Sequence, residues 1–263
     1  FAYQGINGGM AFVNADDPGM HSSQNEQDNR RYAKAMKICM LEPADSQECL
    51  DMTRAAYEIS EKYGSPVMIR LTTRVDHSKS LVELGERKEV PAVPYVKQRD
   101  RLDDVPAVSK QRRYVIEERE KQLKEYSENS PFNYEEMHDT KIGIVASGVA
   151  YMYAKEVLGD KASYLKIGFS YPLPIEKIRA FSKKVDTLYV VEELDPVMEE
   201  QIKAAGIDCH GKDVIPNIDE LNPNIVATGI LGKGFPSKTV PDGLFVPRPP
   251  ALCARSEERR VGK

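Results

Sequence analysis

Apolar runs of strand length alternate with polar stretches of helix length in the first third of the chain. The run GMAFVNA (9–15) predicts a strand, and the polar loop ADDPGMHSSQNEQDN (15–29) follows it directly. A helix is predicted through NEQDNRRYAKAM, and the short apolar run ICML then ends at Glu42-Pro43. A second helix and the strand SPVMIRLTT complete the order strand, loop, helix, strand, helix, strand.

The second predicted helix, ADSQECLDMTRAAYEISEKYG (44–64), carries signals at both ends. Asp45 and Glu48 have the spacing of a capping box, and Gly64 stands where a C-cap residue is expected. Its apolar positions recur at steps of three and four residues, on one helical face: Cys49, Met52, Ala56, Ile59 and Tyr63. Strands that alternate with helices of this length predict a parallel sheet with helices on its faces.

Residues 86–139 interrupt this pattern. Prolines at positions 91, 94 and 106 mark an extended stretch, and the charged segment SKQRRYVIEEREKQLKEYSE (109–128) follows. Its thin apolar stripe consists of Val115, Leu123 and Tyr126. This pattern is typical of a solvated helix between two domains, and a partner-binding helix is the alternative.

A second set of alternating elements begins at KIGIVASGVA (141–150), where a glycine turn connects a strand to a helix. SYLKIGF and DTLYVVEE predict further strands, with the helix PLPIEKIRAFSKKV between them. The segment DPVMEEQIKAAG predicts a helix with Asp195 at the N-cap, Pro196 at N1 and Gly206 past its end. From Pro216 onward, seven prolines leave little room for regular elements. The fold class is therefore α/β, with two parallel-sheet domains joined by a charged helical linker.

Composition limits the kind of partner that the chain can have. Of its 263 residues, 41% are hydrophobic, which is enough for a substantial core. The 37 basic and 41 acidic residues give a net charge of -4 without a polybasic tract, which argues against nucleic acid. No apolar run approaches the roughly 20 residues of a membrane helix, and no signal-peptide pattern opens the chain. We therefore expect a cytoplasmic protein that has no membrane partner.

The cysteines do not predict a metal site within this chain. Cys39, Cys49, Cys209 and Cys253 are scattered and form no C-x-x-C pair, so they cannot by themselves build a zinc ribbon or an iron–sulfur cluster. Cys39 and Cys49 are expected to be buried, reduced thiols. Cys209 lies beside His210, but no second pair of ligands accompanies them.

The polar loop carries the strongest candidate chemistry. In parallel sheets ligands bind outside the carboxyl ends of the strands, and both this loop and the segment from Arg70 leave strands at that edge. The candidate substrate-facing or cofactor-facing residues are Asp16, Asp17, His21, Ser22, Gln24, Asn25, Arg70 and Arg74. The alternatives are a self-bonded loop with local turns and caps, and surface pairing of the arginines with acidic residues.

Two other patterns fail as sites. Gly143 to Gly148 has the spacing of a phosphate loop, but Val149 and Ala150 stand where Lys and Ser or Thr are required, so a tight turn is predicted. Glu192 and Glu193 are adjacent, so in a strand they would point to opposite faces and could not act as a carboxylate pair.

A resemblance to a known family extends through most of these motifs. The stretches GGMAFVNADDPGMHSSQNEQDNRRYAK, EPADSQE and YGSPVMIRLTTRVDHSKS, with the exit segment VPRPPALC, resemble the α subunit of indolepyruvate ferredoxin oxidoreductases. These enzymes belong to the thiamine-diphosphate-dependent 2-oxoacid:ferredoxin oxidoreductases. The resemblance implies that residues 1–85 form the later part of a pyrimidine-binding domain and that 140–212 form a transketolase C-terminal-like domain. It makes 86–139 and 213–254 linkers.

The resemblance also implies a reaction, the oxidative decarboxylation of an aryl pyruvate. The thiamine ylid attacks the keto carbon, CO₂ leaves, electrons pass one at a time through 4Fe–4S clusters to ferredoxin, and coenzyme A takes the acyl group. The implied partners are a β-type or γ-type subunit in a hetero-oligomer, ferredoxin and coenzyme A. The preferred aryl 2-oxoacid, indolepyruvate or phenylpyruvate, stays open, as does another acid specificity within the superfamily.

The chain departs from the family pattern at both ends. The ylid-activating Glu of the family is expected upstream of Phe1, and the domains for Mg²⁺, diphosphate and clusters are expected beyond Cys253. Residues 255–263, RSEERRVGK, resemble translated sequencing-adapter sequence. We therefore expect a fragment that is inactive alone. A non-catalytic subunit-interaction module or a degenerate paralogue is the competing interpretation.

Overall fold

The computed structural model describes residues 1–21, 23–87, 89–236, 241 and 243–244. Its first part contains β1 Ala11–Asp16, α1 Arg30–Met36, β2 Cys39–Leu41, α2 Ser46–Tyr63, β3 Val67–Thr72 and the short α3 Thr73–His77. The predicted order of strands and helices is confirmed. Strands β1 and β2 both pair with β3 in parallel, as the alternation required. Asp45 caps α2 by accepting from the Glu48 N–H, and Gly64 closes the helix in the left-handed region.

The segment between the two sheets contains α4 Arg99–Leu102 and α5 Pro106–Asn129. A helix is present where the charged segment predicted one, but one member of its predicted apolar stripe is wrong. Val115 is 47% exposed, whereas its neighbour Ile116 is buried. The buried face advances by three and four residues, through Ile116, Arg119, Leu123 and Ser127. Leu123 packs into the core beside the first sheet, so α5 has a buried side as well as a solvated one.

The last part of the described chain contains most of the strands. Its elements are β4 Asn133–Glu136, β5 Ile142–Ser147, α6 Gly148–Leu158, β6 Ser163–Ile167, β7 Phe169–Tyr171, α7 Ile175–Ser182, β8 Thr187–Val191, α8 Val197–Ala204 and α9 Pro223–Leu231. The second sheet has the order β4-β6-β5-β8, in which β6, β5 and β8 are parallel and β4 is antiparallel. Helices α6 and α9 cover one face of this sheet, and α7 and α8 cover the other.

The segment SYLKIGF forms two strands, so its prediction as one strand is wrong. β6 belongs to the second sheet, whereas β7 joins the first sheet, whose order is β1-β3-β2-β7, and pairs antiparallel with β2. Gly168 lies at the crossing. A Cβ there would lie 2.7 Å from the Met52 methyl carbon and 2.8 Å from the Phe132 carbonyl oxygen. The chain can therefore cross from one sheet to the other only where it has no side chain.

One helix was not predicted, and one predicted helix begins at a different residue. The segment after Pro216 was expected to lack regular elements, yet it contains α9, which Asn222 caps by accepting from the Ile225 N–H. Pro223 occupies the first turn of α9, where its missing N–H is no disadvantage, so proline here begins a helix. Helix α8 is capped at Pro196 and not at Asp195. The Asp195 carbonyl oxygen accepts instead from Arg30 Nη2 and from the Val197 N–H.

Candidate functional site

The carboxyl ends of the two sheets face each other across a small polar cavity. Glu42 follows β2, Arg70 and Thr72 belong to β3, Ser147 ends β5 and Glu193 follows β8, and all five line the cavity. Its volume is about 10 Å³, near the lower limit of about 10–15 Å³ for one water molecule. The edge of the sheet that was predicted to bind a ligand is therefore closed here by protein side chains.

Arg30, at the start of α1, is one of two buried arginines that line this cavity. Its Nη1 lies 2.5 Å from Glu192 Oε2, and its Nη2 lies 2.5 Å from Asp28 Oδ2. Nη2 also donates to the carbonyl oxygens of Glu193 and Asp195 at 2.7 and 2.8 Å. Although burial acts to lower it, the pKa of Arg30 is raised by Glu192 and Asp28. Arg30 therefore stays charged and joins the start of α1 to the segment that follows β8.

Arg70 forms a second buried ion-pair centre beside Arg30. Its Nε donates to Asp16 Oδ2 at 2.5 Å and its Nη1 donates to Glu42 Oε2 at 2.8 Å. The Ser147 hydroxyl reaches the same Glu42 oxygen from the second sheet at 3.2 Å. Within the described residues, Glu42 Oε1, Arg70 Nη2 and Thr72 Oγ1 are buried without a hydrogen-bond partner. All three belong to residues that line the cavity, so one water molecule would suit both its size and its polarity.

Burial and charge shift the pKa values of this cluster in opposite directions. Burial raises the pKa of Glu193 from 4.5 to about 6, despite the attraction of Arg70. For Asp28 burial also acts to raise the pKa, but the hydrogen bond from Arg30 and the charges of Arg30 and Arg70 lower it to about 2. Burial also lowers the pKa of Lys212, whose Nζ donates to the Glu192 carbonyl oxygen, to about 8. Of the two acidic groups, Glu193 is therefore the one whose pKa is raised, and Asp28 is the one whose pKa is lowered.

The base of the polar loop is bonded to itself and to the sheet. Asp16 is 1% exposed and accepts from the Asn29 N–H at 3.1 Å as well as from Arg70. Asp17 accepts from the Ser23 N–H at 2.8 Å and from the Thr73 hydroxyl at 2.7 Å. These contacts belong to the self-bonded arrangement that was the alternative to ligand binding.

The tip of the loop is different, because its side chains reach the surface. His21, Gln24 and Asn25 are exposed, and Gln27 donates to Asn25 Oδ1 at 3.2 Å. His21 Nε2 lies 3.0 Å from Glu220 Oε2, an oxygen that also accepts from Arg74 Nη2 at 2.6 Å. Ser22 lies outside the described residues. The tip therefore presents the imidazole of His21 and the amides of Gln24, Asn25 and Gln27 to solvent.

The structure divides the predicted residues into two groups. Asp16, Asp17 and Arg70 are buried together at the base, and His21, Gln24, Asn25 and Arg74 lie at the exposed tip. Sequence reasoning missed Arg30, Glu42 and Glu220, and it dismissed Glu192 and Glu193 as a carboxylate pair. Glu42 directly follows a predicted strand, and Glu192 and Glu193 end another, so a position at the carboxyl end of a strand could have indicated all three. No sequence signal marked Glu220, which lies in a segment that was predicted to be a linker.

The described residues contain no group of three or more His, Cys, Asp or Glu side chains that could hold a metal ion. Cys39, Cys49 and Cys209 are free thiols, and Cys253 lies outside the described part of the chain. Burial raises the pKa of Cys39 to about 12 and that of Cys209 to about 11, so both stay protonated at neutral pH. Across the same described residues, no helix has the length and apolarity needed to cross a membrane.

Comparison with known proteins identifies similar sequences. The chain is 39% identical to the indolepyruvate oxidoreductase subunit IorA of Methanothermobacter thermautotrophicus over 279 aligned positions, which cover 99% of this chain and 45% of that subunit. It is 38% identical to the subunit of the same name from Pyrococcus abyssi, over 99% of this chain and 44% of that one. The chain thus spans a little under half the length of these curated relatives. No family model matches it.

Solved structures show a similar fold. The 2-oxoglutarate:ferredoxin oxidoreductase of Magnetococcus marinus, solved with 2-oxoglutarate, coenzyme A and succinyl-CoA, superposes with a TM-score of 0.63. The match covers 88% of this chain and 50% of that one, at 14% identity. At this identity the similarity shows the fold alone. The two linked sheets and their helices are arranged as in that oxidoreductase.

Proposed function

Because this chain belongs to the family of indolepyruvate oxidoreductase IorA subunits, we propose that it forms part of an enzyme that oxidatively decarboxylates aryl 2-oxoacids. In this reaction an aryl pyruvate and coenzyme A give an aryl-acetyl-CoA and CO₂, and two electrons pass to ferredoxin. The observation that carries the proposal is the similarity to the curated subunits, which extends along nearly the whole chain and includes the polar loop.

The complete enzyme is proposed to use thiamine diphosphate, Mg²⁺ and 4Fe–4S clusters. The small cavity between the two sheets does not fit thiamine diphosphate. The cavity at the facing strand ends holds about one water molecule, and the arginines beside it are paired with carboxylates. We therefore assign these groups to parts of the enzyme outside the described residues and derive no step through them.

The tip of the polar loop is exposed and so can meet a substrate. A 2-oxoacid carries a carboxylate and a keto oxygen, both hydrogen-bond acceptors. The imidazole of His21 and the amides of Gln24 and Asn25 are donors of suitable size, and they are already on the surface. We assign them to binding and orienting the 2-oxoacid at a site that other parts of the enzyme complete.

The partners and the location follow from the same proposal. A β-type subunit would supply the remaining wall of the site, with ferredoxin and coenzyme A as further partners in a cytoplasmic hetero-oligomer. A second candidate function, that of a non-catalytic interaction module, is favoured by the self-bonded base of the loop, where Asp16, Asp17 and Arg70 are all occupied by internal partners.

Substitution of the loop tip separates the two candidates. In the complete enzyme we expect His21→Ala and Asn25→Ala each to raise the KM for indolepyruvate by about tenfold, because a hydrogen bond to a charged group contributes about 1.5 kcal/mol. The measurement is ferredoxin reduction with indolepyruvate and with phenylpyruvate. Matched controls are His210→Ala and Asn129→Ala, two exposed positions away from the loop. Unchanged kinetics in both loop variants would favour the interaction module.

A further inference from the structure

Glu220 reaches the polar loop from the segment between α8 and α9. Its Oε2 lies 3.0 Å from His21 Nε2 and accepts from Arg74 Nη2 at 2.6 Å, while its Oε1 accepts from Arg74 Nε. His21 belongs to the first domain's loop, and Arg74 belongs to α3, directly after β3. The Glu220 carboxylate thus contacts both His21 and Arg74, although Glu220 lies 199 residues after His21 in the sequence.

The backbone on both sides of Glu220 is fixed by other glutamates. The Asp219 N–H donates to Glu26 Oε1 at 3.0 Å, and the Leu221 N–H donates to Glu193 Oε1 at 3.1 Å. Glu26 belongs to the loop itself and also accepts from the Gly19 N–H at 2.7 Å. The carboxylate of Glu220 is therefore held from a backbone that touches both the loop and the interdomain cluster.

Two backbone features bring the loop and Glu220 together. Asp219 has φ of 66°, a left-handed conformation that non-glycine residues rarely adopt. Gly19 has φ of 77°, and a Cβ there would lie 3.2 Å from the Glu220 amide nitrogen and 3.3 Å from its Cβ. A side chain at position 19 would therefore meet Glu220 at short distance, so the loop and the Glu220 segment are closely packed here.

We propose that Glu220 is a positioning residue, which holds the tip of the polar loop in place through His21 and Arg74. Its role is to keep the His21 imidazole in one orientation toward the 2-oxoacid, and in this respect the inference rests on the proposed function. Because Glu220 lies in the segment between α8 and α9, the position of the loop depends on the packing of that segment against the loop. Only 16% of the Glu220 side chain is exposed, against 58% for Arg74, so the carboxylate is the fixed member of the cluster.

The first test measures the loop itself, by hydrogen exchange of residues 17–27 in the complete enzyme. Glu220→Gln keeps the size of the side chain and removes its charge. We expect exchange in the loop to become roughly threefold to fivefold faster, as for the loss of a partly exposed ion pair. Glu156→Gln, an exposed glutamate on α6, is the matched control and should leave exchange unchanged. Equal exchange in both variants would overturn the inference.

The second test is a double-mutant cycle on the KM for indolepyruvate. We expect Glu220→Gln to raise KM roughly threefold and to leave kcat unchanged, because the carboxylate orients a binding group and does not touch the reacting atoms. Combined with His21→Ala, it should add nothing to the effect of His21→Ala alone. Additive effects on KM would mean that Glu220 does not act through His21, and would overturn the inference.

The two tests distinguish a failure of the proposed function from a failure of the role assigned to Glu220. If exchange rises in Glu220→Gln while His21→Ala leaves KM unchanged, the restraint of the loop by Glu220 is supported and the proposed substrate-binding function of the loop is rejected. If His21→Ala raises KM while exchange is the same in Glu220→Gln and wild type, the proposed function stands and the role of Glu220 is rejected.

Discussion

The base and the tip of the polar loop are held by the same kind of contact in opposite surroundings. At the base, Arg70 and Asp16 form an ion pair in which the side chains are 4% and 0% exposed. At the tip, Arg74 and Glu220 form one in which they are 58% and 16% exposed. Both pairs join a carboxylate to an arginine at or just after β3, so they differ in burial and not in chemical type.

This difference in burial makes the base of the loop rigid and leaves the tip accessible to a ligand. A buried charge that loses its partner is left both unpaired and unhydrated, which is strongly destabilising. We therefore expect the ion-pair cluster at the base to stay closed. An exposed pair is weakened by water and by salt, and its members can exchange partners at little cost. The loop is therefore anchored where its charges are hidden, and its tip can meet a ligand because its pairing is weak.

The largest expected effect is the removal of the buried arginine. We expect Arg70→Met to lower the free energy of unfolding by about 3–5 kcal/mol, because Asp16 and Glu42 would stay buried without their counter-charge. Urea unfolding of the chain measures this. The matched control is Arg74→Met, which removes the same group at the surface. Equal losses in the two variants would remove the distinction between base and tip.

A pH series sharpens the same distinction. Burial raises the pKa of Glu193 from 4.5 to about 6, so the folded chain holds this proton more tightly than the unfolded chain does. Its contribution to stability is present below pH 4.5 and is lost as the pH rises through 6, a change of about 2 kcal/mol. The side chain of Glu193→Gln cannot ionise. We therefore expect its free energy of unfolding to decrease less than that of the wild type between pH 4.5 and pH 6. A slope equal to that of the Glu156→Gln control would contradict this.

The smallest expected effect is at the tip. Arg74→Met should cost less than about 1 kcal/mol in low salt, and the cost should disappear near about 0.5 M NaCl, where exposed pairs are screened. Urea unfolding at both salt concentrations tests this against Arg70→Met, whose loss should persist at high salt. A salt-independent loss at Arg74 would show that the tip is held as firmly as the base.

The fold was largely predictable because its signals are local. The spacing of Met52, Ala56 and Ile59 places one face of α2 in the core without any knowledge of its neighbours. The strand Phe169–Tyr171 was not predictable as a separate element, because an apolar run does not record which sheet it joins. Helix α9 was not predicted, because the many prolines around it are typical of irregular chain. Its own start signals, Asn222 and Pro223, are nevertheless ordinary ones.

The site was predictable only in part. The sequence indicated the polar loop and the strand that ends near Arg70, since both follow apolar runs. It did not indicate that Arg30 bonds Glu192, 162 residues away, or that Glu220 returns to His21. The sequence by itself determined the order of β1, β2 and β3 with the helices between them, the apolar face of α2 and the position of the polar loop, because periodicity acts over a few residues. Only the tertiary structure decided which charges are buried together and which stay at the surface, because burial depends on how the two sheets pack.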